Sequence, residues 1–532
     1  MLKLNSKLLA GATAALFCAM IAPAQAQITP LFAGGSPVPQ RVYRDIFNCY
    51  GNQAYGDLAV GLSWPFNNCS GFTPYRSDVE VLYLGVTLGR GKLAWVNHDS
   101  SRFTDNATTP SAVPVASTVD FGPFYGTGTG ASWVPDTMDS GPFFWNVSFV
   151  GHDNPLTASD LTTYNANSAA GGWGAPIQVP TMIGTVAISF HQTAGWLEKG
   201  AIITGASSRV QFSTPTWCGI YTGAITDWSD PEITADNAGY QLGSGPITVV
   251  YRNDGNGTTF IFVNALINQC AATSHPVPAS WQTAPGNVSG VSNNGWFIRV
   301  KDAGLLPASF VGATGNDGVK AYVNAFVGAV GYNNQDFIQP VDPAGPKAAN
   351  LQTWHSFITP GVTKKFIAPG PKGGTAIMAA LKPPTFTPAS GFGSCDAAHS
   401  TGVAPRIQSS DGICAHNPLN WGVTNPTPLY TSAYPIGGFS FIDTYTCFAS
   451  ADDVNALVNT TYGAMGLLRW YFGSSTENAS KVKSTLNAHG FGLLPSSWIA
   501  AAKKLLVTDI KTKVSTPGTA NTGCATVAGD GA

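Results

Sequence analysis

The sequence predicts an α/β protein, because strand-like segments alternate along the chain with segments of helical periodicity. Strands are expected at 79–84, 147–150, 183–190, 246–250, 328–332 and 434–441. Helices are expected to begin near Pro39 and to cover 217–221, 260–267, 319–327, 467–472 and 498–506. The alternation indicates mostly parallel sheets, since parallel neighbours need a crossover connection that is usually a helix.

Length and composition indicate a large exported protein with many loops. A chain of 532 residues exceeds one ordinary core, so two domains are expected. Charged residues make up only 11% of the chain, and 60 glycines and 37 prolines imply long loops covered by small polar residues. The formal net charge of −2 argues against a polyanion-binding surface, so nucleic acid is not an expected partner.

The N-terminus has the pattern of a cleavable leader. Lys3 and Lys7 precede an apolar run over 8–21, and Ala-Gln-Ala at 24–26 is a cleavage signature. We therefore expect a signal peptide over 1–26, with an uncleaved anchor as the alternative. Phe17 before Cys18 does not suit lipid attachment, so a released protein of the periplasm or the medium is expected. No later segment is long and apolar enough to predict a transmembrane helix.

The cysteines after the leader are expected to form disulfides, because their number is even in an exported chain. Proximity in sequence favours Cys49–Cys69, Cys218–Cys270, Cys395–Cys414 and Cys447–Cys524. The sequence does not fix this connectivity. No pair has the close Cys-x-x-Cys spacing of a zinc or redox site.

One glycine-rich stretch joins a predicted strand directly to a predicted helix. It reads Arg-Asn-Asp-Gly-Asn-Gly-Thr-Thr-Phe over 252–260. Such a junction directs backbone N–H groups and the positive end of a helix dipole at one point. Arg252 adds a planar, two-pronged donor that Asp254 can orient, and Asn256 and Thr258 add side-chain donors. The stretch predicts an oxyanion site; an ordinary junction with a structural ion pair is the alternative.

A carboxylate stands at the end of another predicted strand. Asp153 follows the strand at 147–150, at the edge of the sheet where open α/β folds place ligand groups. A capping or turn aspartate is the alternative. His152 beside it is expected to be an exposed residue at a loop edge; the alternative is a histidine that faces the pocket and adds charge to anion binding at acid pH. Residues 101–145 and 380–433, rich in Ser, Thr, Pro and Gly, are interpreted as two loop-rich insertions.

Together these segments resemble one family. The motif over 252–258 is similar to the phosphate motif of the exported phosphate-binding proteins that feed ABC transporters (PstS-like), and most similar to their DING-type branch. Weaker resemblances follow in the same order at 180–184, 218–223, 226–228, 328–332, 434–436 and 493–495. The resemblance covers nearly the whole chain after the leader, except the two insertions.

The resemblance implies a two-lobed periplasmic-binding-protein fold of type II. Each lobe would be a mostly parallel sheet flanked by helices, and the two lobes would close on one phosphate. The first lobe would comprise 27–185 and 434–532, and the second lobe 186–433.

The resemblance also implies a set of site residues. The phosphate-binding candidates are Ser36, Val38, Thr87, Asp153, Arg252, Asp254, Asn256, Gly257 and Thr258. An ionised Asp153 would accept a hydrogen bond only from a protonated oxygen, so it would admit hydrogen phosphate or arsenate and reject sulfate.

Two loops depart from the family pattern. Pro37 follows Ser36 where the family has a threonine and a large apolar residue, and Leu88 replaces a serine beside Thr87. Each lost donor costs a buried oxyanion roughly 1–3 kcal/mol, so weaker affinity or a different ligand is a hypothesis.

Three functions remain open from the sequence. The first is capture of inorganic phosphate for an ABC transporter permease by a monomer without cofactor, metal or catalytic residue. The second is a secreted phosphatase, which the DING-type resemblance permits, although no His-x-x-x-His, His-x-His or Gly-x-Ser-x-Gly pattern occurs. The third is a surface or adhesive protein that keeps the fold with a weakened anion site.

Overall fold

The computed structural model describes the greater part of the chain. The described residues are 29–51, 75–86, 88–103, 126–127, 134–135, 147–191, 210–379, 381–386, 414–474, 477–478, 480–512, 524 and 531–532. The predicted leader, Thr87, Cys69, Cys395 and most of the first predicted insertion lie outside these residues.

Strands and helices alternate as predicted. The strands are Thr29–Gly35 (β1), Val79–Gly85 (β2), Gly126–Thr127 (β3), Val134–Pro135 (β4), Phe149–His152 (β5), Pro176–Phe190 (β6), Gln211–Phe212 (β7), Thr248–Arg252 (β8), Phe310–Ala313 (β9), Ala329–Asn334 (β10), Lys347–Ala348 (β11), Asn350–Gln352 (β12), Phe366–Ile367 (β13), Gly437–Tyr445 (β14), Cys447–Phe448 (β15) and Lys511–Thr512 (β16). The helices are Gln40–Tyr50 (α1), Leu88–Asn97 (α2), Ala158–Gly171 (α3), Thr214–Thr222 (α4), Pro231–Asp236 (α5), Gly257–Cys270 (α6), Ala279–Gln282 (α7), Trp296–Asp302 (α8), Gly315–Ala325 (α9), Trp354–Ile358 (α10), Pro371–Ile377 (α11), Ala451–Val458 (α12), Leu467–Tyr471 (α13), Ser480–Ala488 (α14) and Ser496–Asp509 (α15). Short 3₁₀ helices cover Ser100–Phe103, Gln335–Phe337 and Pro418–Trp421.

The main sheet of the described residues has nine strands in the order β2-β1-β5-β14-β6-β10-β8-β9, with β11 paired to β6. Pairing is parallel among β2, β1 and β5 and again among β10, β8 and β9. The pairs in the centre, β5–β14, β14–β6 and β6–β10, are antiparallel. The parallel pairing expected from the sequence therefore holds for the two outer thirds, and long antiparallel strands join them.

Strand β6 connects the two outer thirds because it changes partner along its length. Its first part, Pro176 to Thr185, pairs with β14, and its last part, Val186 to Phe190, pairs with β10. Apolar β-branched residues in this stretch favour a strand that is buried on both faces, and almost every residue of β6 is buried. The strand predicted at 183–190 thus forms the second half of a longer crossing strand.

Two large groups of buried apolar residues lie on either side of this crossing point. The first core contains buried residues from Leu31 to Ile183 and from Ile377 to Ile510. The second core contains buried residues from Val186 to Leu351, together with Tyr434 and Ile436. Each core is rich in stacked and edge-on aromatic rings; the rings of Phe262 and Tyr332 in the second core lie 4.4 Å apart.

The later part of the second predicted insertion is built into the first core. Trp421 and Val423 are almost fully buried there, and Trp421 donates its indole N–H to the carbonyl of Ala415. Its composition alone did not reveal this, because Pro, Gly and Asn also occur in tightly packed irregular backbone. Residues 387–413 of the same predicted insertion lie outside the described residues.

Disulfides link elements within this architecture. Cys218–Cys270 and Cys447–Cys524 are formed as predicted. Cys49 and Cys414 are disulfide-bonded as well, and their predicted partners lie outside the described residues. Within the described part of the chain, no helix has the length and apolar character needed to cross a bilayer.

Candidate functional site

The candidate site lies where the carboxyl ends of strands from both outer thirds of the sheet meet. Ser36 follows β1, Asp153 follows β5 and Arg252 ends β8. Parallel strands present their carboxyl ends at one edge, which is where ligands bind in open α/β sheets. The same edge therefore receives a hydroxyl, a carboxylate and a guanidinium from three distant stretches of the chain.

The carboxylate of Asp153 is buried and held by two serine hydroxyls. Ser36 Oγ donates to Oδ2, and Ser440 Oγ on β14 donates to Oδ1 at 2.6 Å. Burial raises the pKa of the Asp153 carboxyl to about 6, while the serine hydrogen bonds and electrostatic interactions with His152 and Arg252 act in the opposite direction. The carboxylate is thus oriented as a hydrogen-bond acceptor whose charge depends on pH.

A glycine allows Ser36 to reach Asp153. Gly35 has a φ of +133°, and a Cβ there would lie 2.1 Å from the carbonyl oxygen of Gly151 in the paired strand β5. Only glycine suits this backbone and this close approach. The chain then turns so that Ser36 N–H donates to the same carbonyl at 2.8 Å, which places its hydroxyl at Asp153.

The guanidinium of Arg252 is fully buried and is fixed from one side. Its Nε donates to Asp254 Oδ1 at 2.7 Å and its Nη2 donates to Oδ2. The N–H of Gly315 also donates to Asp254 Oδ1, at 3.0 Å. Among the described residues, Nη1 of Arg252 has no hydrogen-bond partner although it is buried. The Arg–Asp pair predicted from the sequence is present, and it leaves one charged donor free.

The N-terminus of α6 lies against Asp153. A Cβ on Gly257 would meet the Cβ of Asp153 at 2.3 Å and its Oδ2 at 2.5 Å. Glycine at this position therefore lets the first turn of a helix of the second core touch a carboxylate of the first core.

The side chain of Asn256 makes hydrogen bonds within its own loop and helix. As the N-cap of α6, its Oδ1 accepts from Thr259 N–H at 2.7 Å, and its Nδ2 donates to the carbonyl of Asp254 at 2.7 Å. The side chain is therefore occupied with shaping the loop and the helix start. Thr258 Oγ1 donates to Oδ1 of Asn334 at 2.9 Å, so this hydroxyl belongs to a pair of polar side chains at the site.

In the loop 36–38, the remaining backbone donor bonds within the loop. Val38 N–H donates to Ser36 Oγ at 3.2 Å, and Pro37 carries no N–H. Ser36 and Val38 are thus turned towards Asp153 and towards each other. Thr87 is outside the described residues, and Leu88 begins helix α2.

His152 is not the exposed residue that the sequence predicted. Its ring is buried, with Nε2 bonded to Asp443 Oδ2 on β14 and Nδ1 2.6 Å from the carbonyl oxygen of Asn154. Burial raises the pKa of Asp443, and the interaction with His152 opposes that shift. The expectation failed because the register that pairs His152 with Phe441 of β14 is a long-range property.

Sequence reasoning missed Ser440 and Asn334 as residues of the site. Ser440 sits inside a predicted strand, and Asn334 lies two residues after the predicted strand at 328–332. Polar residues at a strand end are a usable signal for Asn334. Nothing local marks Ser440, since its approach to Asp153 depends on a β-irregularity between Ser440 and Phe441.

Comparison with known proteins is consistent with this geometry. A family profile described as "PBP superfamily domain" matches residues 136–357. The matched stretch is similar to the domains of that superfamily. It includes the carboxyl end of β5, the loop 252–258 and Asn334.

The similarity to known proteins extends beyond this matched stretch. Alkaline phosphatase L of Pseudomonas aeruginosa (strain UCBPP-PA14) is 25% identical over 506 residues, which is 93% of each chain. A phosphate-binding protein from an unknown prokaryotic organism is 28% identical over 404 residues, covering 74% of this chain and 90% of that protein. A crystal structure of a DING protein, 23% identical, aligns with a TM-score of 0.54 over 94% of this chain and 100% of that one, and so supports the fold. The resemblance to PstS-like and DING-type proteins is confirmed.

Proposed function

We propose that this protein captures inorganic phosphate in a cleft between two α/β lobes and delivers it for ABC-type uptake. The observation that carries the proposal is the buried Nη1 of Arg252, which has no hydrogen-bond partner in the described part of the chain. Arg252 lies on the second core and interacts electrostatically with the buried Asp153 of the first core. A buried cationic donor without a partner is costly unless an anion completes it. A protonated oxyanion satisfies both groups at once.

The two cores support the proposed lobes. We place the first lobe at residues 27–185 and the second lobe from residue 186 onwards, with β6 and β14 as crossing strands. Ile377, Met378 and Trp421 pack in the first core, and for this reason we propose a return to the first lobe near Pro371. The resemblance to PstS-like proteins implies residue 434 for the same boundary.

Selectivity follows from the acceptor. An ionised Asp153 has no proton to give, so it forms a hydrogen bond only with a ligand oxygen that carries one. Hydrogen phosphate and arsenate provide that proton, and sulfate does not at neutral pH. Arg252 and the backbone at Gly257 then supply donors to the remaining oxygens.

The cellular role follows from the PstS-like resemblance. We propose an exported protein, released after removal of residues 1–26, that passes phosphate to a membrane permease. We propose a monomer without cofactor, since the binding groups come from one chain.

A titration of phosphate-free protein tests this function. We expect a Kd of about 1 μM or below, roughly −8 kcal/mol, for the wild-type chain. Asp153→Asn and Arg252→Ala should each weaken binding by about a hundredfold or more, because each leaves a buried partner unmatched. Asp302→Asn and Lys301→Ala are the matched controls, since these side chains are 61% and 51% exposed. Wild-type affinity in both site variants would refute the proposal.

A phosphatase is the second candidate, favoured by the similarity to alkaline phosphatase L over 93% of the chain. The assay is hydrolysis of a chromogenic phosphate monoester by the purified protein, with Arg252→Ala as the site control. Turnover that Arg252→Ala abolishes would establish an enzyme on the same site. Absence of turnover with tight phosphate binding would leave the binding protein.

A further inference from the structure

Asn334 lies at the carboxyl end of β10, beside the strand that carries Arg252. Strands β10 and β8 pair in parallel, with Gly331 opposite Val250. Their carboxyl ends therefore open on the same edge of the sheet. Asn334 is 3% exposed, so its side chain lies inside the protein at this edge.

The amide of Asn334 is only half used. Its Oδ1 accepts from Thr258 Oγ1 at 2.9 Å, and its backbone N–H points to Asn316 Oδ1 at 3.4 Å. Within the described part of the chain, its buried Nδ2 has no hydrogen-bond partner. Buried amide donors are nearly always satisfied, so one that is not requires an explanation.

The neighbouring Asn333 shows what a structural asparagine looks like at this place. Its Oδ1 accepts from Ser189 Oγ at 2.9 Å, and its Nδ2 donates to the carbonyl of Asn316 at 2.9 Å. Both halves of that amide are used to join β10 to its surroundings. Asn334 differs because its Oδ1 is hydrogen-bonded within the fold and its Nδ2 has no partner among the described residues.

Asn334 and Arg252 each carry a buried donor that has no partner among the described residues. They sit at the ends of neighbouring strands and are connected through the 252–258 loop, since Thr258 contacts Asn334 directly. Two such donors at the ends of adjacent strands suit an atom with several lone pairs. An oxygen of a tetrahedral oxyanion is such an atom.

We propose that Asn334 is a ligand-binding residue whose Nδ2 donates to an oxygen of the bound oxyanion, while its Oδ1 holds the hydroxyl of Thr258. This inference rests on the proposed function and deepens it. The additional donor offsets what the first loop lacks, since Pro37 has no N–H and Val38 N–H donates to Ser36.

The test is a phosphate titration of Asn334→Ala and Asn334→Asp, with a thermal melt of each variant in the absence of phosphate. Asn334→Ala should raise the Kd about tenfold or more, since a hydrogen bond to a charged group is lost. Asn334→Asp should raise it further, because an isosteric carboxylate would face the anion. The melting temperature without phosphate should fall less in Asn334→Ala than in Asn333→Ala, because Asn334→Ala loses one side-chain hydrogen bond, to Thr258, and Asn333→Ala loses two.

Asn333→Ala is the matched control. It should lower the melting temperature and leave the Kd within about threefold, because its amide is used within the fold. Should Asn334→Ala fail to fold, Asn334→Ser tests the same donor with a smaller change in polarity.

The outcomes separate this inference from the proposed function. Tight binding by the wild type that Arg252→Ala abolishes and both Asn334 variants retain would overturn the role of Asn334 alone. Absence of phosphate binding by the wild type would overturn both. A direct contact would also be contradicted if Asn334→Ala and Asn333→Ala lost the same amount of affinity and the same amount of melting temperature.

Discussion

The two sides of the candidate site are built in different ways. On the second core, Arg252, Asp254, Gly257 and Thr258 come from one short stretch that joins a strand to a helix. On the first core, Ser36, Asp153 and Ser440 come from three stretches more than a hundred residues apart. The first arrangement is a local motif, and the second exists only once the sheet has formed.

The two sides also differ in how their polar groups are satisfied. On the first core, both oxygens of Asp153 accept hydrogen bonds, and Ser36 and Val38 are occupied with each other. On the second core, buried donors of Arg252 and Asn334 remain unpartnered among the described residues. In the proposed site, the second core would therefore supply most of the attraction for an anion, and the first core would supply the proton-dependent selection.

Gly257→Ala should break the contact between the two sides and have the largest effect. The new Cβ would meet the Cβ of Asp153 at 2.3 Å, so the helix and the carboxylate have to separate. We expect the phosphate Kd to rise by about a hundredfold or more, since affinity falls with the fraction of binding-competent molecules.

Gly255→Ala is the control for this prediction. A Cβ there would have its nearest neighbour at 3.7 Å, the side chain of Asn294, which is an ordinary contact. Its affinity should match the wild type in the same titration. Equal affinities of the two alanine variants would contradict the close approach.

The local features of the candidate site were predictable from the sequence. The features that depend on contacts between distant stretches were not. The strand, loop and helix around Arg252 were identified because all their signals lie within a short window. Asp153 was also identified, since a carboxylate after an apolar strand is a local signal.

The long-range pairings were not predictable in the same way. The positions of His152 and Ser440 depend on the register of β14 against β5 and β6 and on the irregularity beside Ser440. A shift of one residue would turn each side chain to the other face. The burial of Trp421 was missed because an irregular segment carries no periodicity to interpret.

A change of pH should weaken the selectivity that the first core supplies. Burial raises the pKa of Asp153 to about 6 in the folded protein. Below that pH the carboxyl is protonated and can itself donate, so sulfate becomes acceptable. We expect the ratio of sulfate Kd to phosphate Kd to fall at least about tenfold between pH 8 and pH 5. Competition titrations at both pH values measure it, and a constant ratio would contradict the role of Asp153.

The Asp153 carboxyl should also make the free energy of unfolding of the ligand-free protein depend on pH. Its folded pKa of about 6 exceeds the ordinary 3.8, so the folded state binds the proton more tightly than the unfolded chain. The free energy of unfolding should therefore decrease as pH rises through that window and then level off. Asp336, whose pKa burial raises to about 7, contributes in the same direction. The Asp153 share is the difference between wild type and Asp153→Asn in chemical denaturation.

Ser440→Ala should have a smaller effect that sharpens the same comparison. The variant loses a hydrogen bond that lowers the pKa of Asp153, so the loss of selectivity should move to higher pH. The phosphate Kd at neutral pH should rise by roughly threefold to tenfold. Ser189→Ala, a buried serine that contacts Asn333, should leave the pH profile unchanged. An identical profile in both variants would remove Ser440 from the site.

Arg41→Ala should have the smallest effect, because Arg41 joins the two proposed lobes and is not part of the proposed phosphate site. Arg41 on α1 donates to the carbonyl of Asp336 at 3.0 Å and lies 4.0 Å from the centre of the Phe337 ring. It also lies 3.6 Å from Asp342 and 3.5 Å from Asp317. Arg41, on the first-core side, thus contacts several residues of the segment 317–342 on the second-core side.

Loss of the Arg41 contacts should raise the phosphate Kd by about twofold to tenfold. Lys320→Ala is the control, since Lys320 pairs with Asp342 at 2.6 Å within the second-core side. It should not change affinity. A larger loss in Lys320→Ala than in Arg41→Ala would contradict a role of Arg41 in closure.

The central claim is that one anion is shared by Asp153 and Arg252. Calorimetric titration of phosphate-free wild-type protein at about pH 8, with phosphate and separately with sulfate, tests it most directly. We predict one tightly bound phosphate per chain and no heat from sulfate. No heat from millimolar phosphate, or equal affinity for sulfate, would contradict the account.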